Sequence, residues 1–323
     1  MPALDPDVEK LLELGRKAGK PPFEALTPEQ ARAAYAASWD ALQPPAEAVA
    51  SVTDTAIPGP GGELCLRIYR GTNTAPQDLL PCLVFLHGGG WVIGNLESHD
   101  RLCRRLANLA RICVVAVDYR LAPEHRFPAA LDDSAAALKW VHDNAVALHI
   151  ASGRIGIGGD SAGGNLAAVL ALMARDGALP PVMFQALLYP VTDLTASSAS
   201  YQRVTSGVPL TAATMHYFIG HYTPNAGDRA HWHASPIKAA SLVGGAPALV
   251  LTVAHDPLCD EGIAYAKRLQ DEGVRVTALH LSDHMHGMLM HGKLVRASNV
   301  MLDCIGAITA NALHHGTAVA RGA

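Results

Sequence analysis

Positive charge is scarce in this 323-residue chain: 25 Lys and Arg stand against 29 Asp and Glu, a formal net charge of −4. That balance leaves no basic footprint for nucleic acid. Charged residues of both signs make up only 17%, against 50% hydrophobic, which excludes a disordered chain and supplies a large core. Apolar runs of about 18 residues or more are absent, so no membrane span is expected. The segment Met1-Pro2-Ala3-Leu4-Asp5-Pro6-Asp7 is acidic and has no apolar core of a secretory signal. Six cysteines (Cys65, Cys82, Cys103, Cys113, Cys259, Cys304) form no Cys-x-x-Cys pair, and the expectation is reduced, buried thiols in a cytoplasmic protein. Internal repeats, low-complexity tracts and a phosphate-binding Gly-x-x-x-x-Gly-Lys-Ser/Thr pattern are all missing.

Strand and helix patterns alternate through most of the chain. The first 45 residues read as helical: Val8, Leu11, Leu12 and Leu14 recur at helical spacing, and Thr27-Pro28-Glu29-Gln30 supplies a cap for a helix over 31–42. The spacing predicts strands at 64–69, 82–87, 112–119, 154–158, 184–189, 248–254 and 274–281. Helices are expected at 100–109, 129–144, after Ser161, at 259–272 and at 295–313. Such alternation implies an α/β fold with a mostly parallel central sheet and helices on both faces. Residues 192–236 break the rhythm; they are polar yet hold Tyr201, Tyr217, Phe218, Tyr222 and Trp232. An insertion of that length in an α/β core points to function.

The chemistry centres on Gly159-Asp160-Ser161-Ala162-Gly163, a Gly-x-Ser-x-Gly pattern between a strand and a helix. A serine on so tight a turn presents its hydroxyl to solvent, and the crowded flanks need glycine. The helix behind it aims N-terminal amides at a developing oxyanion. A nucleophilic serine also needs a base and an orienting acid. Asp256 ends an apolar strand run, at the sheet edge where α/β sites form. Ser282-Asp283-His284-Met285-His286-Gly287-Met288 offers the base: His286, followed by a glycine, or His284 as the alternative. No Glu or Cys completes a metal set around these histidines, so no metal is expected. His87-Gly88-Gly89-Gly90-Trp91 follows an early strand, and the amides of Gly88 and Gly89, with that of Ala162, are the expected oxyanion donors.

Together, His87-Gly88-Gly89-Gly90-Trp91, Asp118-Tyr119-Arg120-Leu121-Ala122-Pro123-Glu124, Gly159-Asp160-Ser161-Ala162-Gly163-Gly164, Asp256-Pro257-Leu258 and His286-Gly287 resemble the bacterial hormone-sensitive-lipase-like (family IV) carboxylesterases of the α/β-hydrolase fold. The resemblance spans 87–287, and the element order extends it to most of the chain. It implies Ser161 as nucleophile, Asp256 as acid and His286 as base, with Gly88, Gly89 and Ala162 as oxyanion donors. Asp160 places the chain with the Gly-Asp-Ser-Ala-Gly subgroup. The resemblance also implies a small helical cap, here residues 1–48 and the insertion 192–236, over a catalytic core of 49–191 and 237–323. Arg126 and Met288 depart from the family pattern, where proline and phenylalanine are usual, without touching a catalytic role. His87 and the 119–124 segment are expected to organise loops around the site.

The expected activity is hydrolysis of short- to medium-chain carboxylic esters through an acyl-enzyme, with no cofactor. Trp91, Tyr201, Tyr217 and Phe218 are candidate substrate-pocket residues. The rival readings are a non-catalytic small-molecule receptor on the same fold, and an amidase, carbamate hydrolase or lactonase with the same triad. Relatives that pair through the final strand and helix make a homodimer an expectation, since an edge strand at 274–281 would offer unpaired backbone groups.

Overall fold

The computed structural model describes residues 2–316. Three N-terminal helices come first: α1 (Pro6–Ala18), α2 (Pro28–Ala36) and α3 (Trp39–Leu42). Then follow β1 (Ser51–Gly59), β2 (Gly62–Arg70), β3 (Leu80–Leu86), α4 (Leu96–Ala110), β4 (Cys113–Val117), α5 (Ala129–Asp143), β5 (Ile150–Asp160), α6 (Ala162–Arg175) and β6 (Gln185–Leu188). The segment after β6 holds α7 (Ala199–Arg203), α8 (Ala212–Tyr222) and α9 (Ala226–Arg229). The chain then returns to the sheet with β7 (Ala248–His255), α10 (Cys259–Asp271), β8 (Val276–Met285) and α11 (Arg296–His315).

The eight strands form one sheet in the order β1-β2-β4-β3-β5-β6-β7-β8. Every pairing from β4 through β8 is parallel; the two made by β2 are antiparallel. All seven residues of β3 are buried, and their side chains alternate between two cores. Cys82, Val84 and Leu86 face α5, α6 and α10, while Leu83 and Phe85 face α4 and α11. A strand covered on both faces has no polar alternation to show, which is why its sequence is a continuous apolar run.

The predicted helix over 31–42 is two helices. A Thr27–Gln30 capping box starts α2, and the chain leaves the helix at Ala37 and Ser38 before α3 begins. Strand β1 carries no sequence signal because it is mostly exposed and contains Asp54 and Pro58. Strand β8 runs on past the expected end to Met285 through an irregularity in its pairing with β7. Cys82, Cys103, Cys113 and Cys259 are buried; Cys65 and Cys304 are exposed, contrary to expectation, because each sits on an outward face. Among the described residues no helix is long and apolar enough to cross a membrane.

Leu83→Ala deletes a side chain that is 1% exposed between β5 and the α11 layer. It should lower the unfolding free energy by about 2–5 kcal/mol in guanidinium titrations. Leu79→Ala, at a residue 68% exposed, should change it by no more than about 0.5 kcal/mol.

Candidate active site

Ser161 stands at the junction of β5 and α6 with φ 55° and ψ −117°, a conformation that L-residues avoid. The flanking glycines make it possible. A methyl group on Gly159 would strike the Leu86 carbonyl and the Gly163 backbone, and one on Gly163 would strike Leu86 itself. The serine N–H donates to Leu188 O at 2.8 Å, tying the turn to β6. Asn165 braces it from below, donating from its side chain to Val191 O (3.0 Å) and Ala234 O (2.7 Å).

The parallel sheet brings the other groups to the same edge. His286, just past β8, lies with Nε2 2.9 Å from Ser161 Oγ and Nδ1 2.6 Å from Asp256 Oδ2. A carboxylate only accepts, so Nδ1–H donates to Asp256, which leaves Nε2 to accept from the serine hydroxyl. Asp256, 1% exposed, also accepts the Leu258 N–H at 2.8 Å, which fixes its carboxyl plane. The alternative base, His284, is not brought to the serine. It ends within β8, with Nδ1 2.7 Å from Asp283. The Tyr189 ring backs His286 at 4.7 Å between centroids, and Met288 is fully buried behind it.

The glycine turn after β3 arrives beside this group, and it corrects one expectation. The Gly88 N–H already donates to Asp160 Oδ1 at 2.8 Å, so it is spent on the carboxylate next to the serine and is not offered to an oxyanion. Gly89, at φ 121°, passes so close to Ile93 that a side chain would collide with its backbone. The Gly89 carbonyl accepts from Val92 and Ile93, which folds the turn back on itself. The Ala162 N–H is the first of helix α6, where no carbonyl of the same helix can reach it. His87 is sealed beneath the loop. Its ring stacks on Tyr119 at 4.2 Å, the Tyr119 hydroxyl donates to His87 O at 2.6 Å, and Nδ1 lies 2.8 Å from Gly88 O. Burial, with His99 adding to it, pushes the His87 pKa down to about 3, so the ring is neutral and organises backbone.

Of the four expected pocket residues, Phe218 comes nearest the loop: its ring occupies the space that a side chain on Gly90 would need. Tyr217 is half-buried and meets Phe218 edge-on at 5.3 Å. Tyr201 is buried with its ring 5.9 Å from His216. Trp91 is corrected to a core residue, 0% exposed and stacked flat on Tyr222 at 4.4 Å, since a ring sealed on both faces has no surface for substrate.

Several supporting residues had no motif to announce them. Phe23, before α2, packs on Phe218 at 5.9 Å, and Glu24 beside it accepts from Thr214 Oγ1 at 2.8 Å, so the N-terminal segment and α8 meet over the site. Arg32 in α2 donates to Val92 O (2.8 Å) and Ala122 O (2.9 Å) and pairs with Glu124 at 2.6 Å, fastening that segment to the glycine loop. Glu261 in α10 accepts the N–H groups of Thr192 (2.7 Å) and Asp193 (3.1 Å), fixing where the inserted segment begins. Burial holds its carboxyl well above the usual range, against the pull of those two amides. A helix-face glutamate normally reads as solvated, which hides this anchor from sequence inspection. Among the described residues no group of three or more His, Cys, Asp or Glu side chains is arranged to hold a metal.

Known proteins resemble the whole arrangement. A sequence model of the α/β-hydrolase fold matches residues 83–290. Carboxylic ester hydrolase LipN of Mycobacterium tuberculosis is 45% identical over 244 residues, which are 74% of this chain but only 64% of that protein. Ethyl acetate hydrolase of Pseudomonas putida is 37% identical over 303 residues, 92% of this chain and 95% of its own. Among solved structures, an ester hydrolase from the metagenome of Lake Arreo superimposes with a TM-score of 0.92 at 39% identity, covering 97% of this chain and 100% of that one. The hyperthermophilic esterase of Pyrobaculum calidifontis gives 0.89 at 38% identity, covering 96% and 99%.

The histidines predict a pH response. His291, whose Nδ1 is sealed from solvent without a partner, is pushed down to about 4 by burial and then by His286. A histidine depressed in the fold binds its proton only on unfolding, so stability is lost as pH falls below about 6.5. His291→Phe should therefore shrink the difference in unfolding free energy between pH 7 and pH 5 by about 2 kcal/mol in denaturant titrations.

Proposed function

We propose, for a chain that belongs to the α/β-hydrolase family and is a carboxylic ester hydrolase, that Ser161 is its nucleophile, His286 its general base and Asp256 the acid that orients the base. The observation that carries this reading is the unbroken hydrogen-bond chain from Ser161 Oγ through His286 to Asp256, at 2.9 and 2.6 Å. His286 Nε2 takes the hydroxyl proton as Ser161 Oγ attacks the ester carbonyl carbon. Asp256 holds the Nδ1–H tautomer and stabilises the imidazolium that forms. The tetrahedral oxyanion rests against the amides of Ala162 and Gly89. The next amide along the turn, that of Gly90, takes the place expected of Gly88. His286 then gives its proton to the alkoxide leaving group, and water attacks the acyl-enzyme with His286 again as base. Each amide in such a hole contributes about 3–4 kcal/mol to the transition state.

Short- to medium-chain esters are the proposed substrates. Phe218 closes on the glycine turn and Phe23 lies against it, which leaves little length for an acyl chain in that direction. A relative of similar length is an ethyl acetate hydrolase. Residues 1–48 and 192–236 are proposed to act together as the cap, joined by Thr214–Glu24 and Phe23–Phe218. The position of β8 as the last strand of the sheet supports the homodimer reading. The six free cysteines fit a reducing compartment such as the cytoplasm.

Two outcomes follow. Ser161→Ala should lower kcat for p-nitrophenyl butyrate by about 10⁶-fold, as loss of a triad nucleophile does; residual turnover near the parent rate contradicts the assignment. The parent should prefer butyrate over laurate, and Phe218→Ala should raise the laurate-to-butyrate ratio of kcat/KM about 10-fold or more, in line with the contact one aromatic ring supplies. An unchanged ratio removes Phe218 from the pocket.

A further inference from the structure

We propose that Asp160 and His99 form a buried, charge-balanced pair that positions the oxyanion loop, an inference that rests on the esterase reading above. Asp160 ends β5, immediately before Ser161, and His99 lies near the start of α4. Neither belongs to the triad. Asp160 is 4% and His99 1% exposed. Asp160 Oδ1 accepts the Gly88 N–H at 2.8 Å and lies 3.0 Å from His99 Nε2.

Proton accounting fixes the charge of the pair. The Ser98 hydroxyl has one proton to give and lies 2.7 Å from Asn95 O, an atom that can only accept. That proton therefore goes to Asn95 O. Ser98 Oγ also accepts the Asn95 N–H at 2.9 Å. Toward His99 Nδ1, 2.8 Å away, the same oxygen can only accept again, so Nδ1 carries a hydrogen. On the far side of the ring, Nε2 faces a carboxylate, and one proton lies between them. Whichever atom holds it, Asp160 and His99 together are neutral. The Gly88 N–H also points toward Nε2, but at 3.3 Å, and its acceptor is the carboxylate oxygen.

Burial by itself would drive the Asp160 carboxyl upward. His99 outweighs it and holds the group below its ordinary range. The arrangement does two things at once. A charged acceptor gives the Gly88 amide a stronger hydrogen bond than a neutral one, which pins the turn where Gly89 and Gly90 leave it. The proton shared with His99 removes the net negative charge that would otherwise oppose an oxyanion forming one residue away. The loop also rests directly on the carboxylate, since a side chain on Gly88 would collide with it. Asp160 thus has a task beyond spacing the turn, and it acts through the loop as a positioning residue.

The test uses the full chain with three variants: Asp160→Ala, Asp160→Asn and His99→Gln. Steady-state hydrolysis of p-nitrophenyl butyrate is measured alongside binding of phenylboronic acid, which adds to the serine as an oxyanion mimic. Asp160→Ala should lose about 10²-fold in kcat, comparable with losing an oxyanion donor, with KM nearly unchanged and boronate affinity falling in parallel. Asp160→Asn keeps a carbonyl oxygen for Gly88 and should recover most of that loss. His99→Gln leaves the carboxylate unbalanced, so its kcat/KM profile should gain an inflection, activity falling as pH rises through the Asp160 titration. Adding Asp160→Asn to it should remove that inflection. The proposal is overturned if folded Asp160→Ala keeps parental kcat and boronate affinity, or if Asn rescues no better than Ala. Should the alanine variant not fold, the pH profile of His99→Gln decides alone: no added inflection overturns the pair. Ser161→Ala serves as the reference throughout. Persistent activity in that variant defeats the esterase reading, whereas an inactive Ser161→Ala beside a parental Asp160→Ala defeats only this one.

Discussion

The backbone of Ser161 is held where an L-residue does not rest, and the rest of the site depends on that. Such a conformation costs about 1–3 kcal/mol, so the surroundings must over-determine it. Here the N–H of Ser161 is bound to Leu188 O, its carbonyl accepts from Asn165 and Val191, and two glycines let the turn press on the end of β3. Each restraint belongs to a different element. The turn is therefore held from several sides, and the hydroxyl lies 2.9 Å from His286 Nε2.

The parallel sheet then does the assembling. Turns that leave β3, β5, β7 and β8 all open on the carboxyl edge, so a glycine loop, a serine, an aspartate and a histidine far apart in sequence arrive within hydrogen-bond reach. Buried acids recur around them in one physical role. Asp160 accepts from Gly88, Asp256 from Leu258, and Glu261 from Thr192 and Asp193. Each acid accepts from backbone amides of a loop bordering the site. Loops fixed in this way need no close-packed core of their own.

The elbow, the order of acid and base, and most strands were legible because glycine crowding and two-face burial leave strong marks in sequence. Gly287 already favours His286 over His284 in the sequence, and the extension of β8 to Met285 adds the structural reason, since it keeps His284 inside the strand. Gly88 was misread for a related reason. A run of glycines says that backbone comes close to something, but not which amide is already bound, and the acceptor on Asp160 lies 72 residues away in the chain. Trp91 reads as a pocket aromatic because it follows the glycine turn; its stacking on Tyr222 depends on a helix from the inserted segment. His99 and Glu261 look like ordinary polar helix residues until the fold buries them, and Arg32 does until it meets the carbonyls of Val92 and Ala122. What stayed hidden was thus the set of polar contacts between elements, which no local period encodes.

We propose that one serine, activated by one histidine, does the chemistry. Peptide mapping by mass spectrometry after treatment with a fluorophosphonate tests it most directly, since that reagent reports on the nucleophile itself. A single adduct per chain is expected, on the peptide that carries Ser161, formed at the rate at which ester hydrolysis is lost and greatly slowed in His286→Ala. An adduct on another side chain, or full inactivation with Ser161 unmodified, would contradict it.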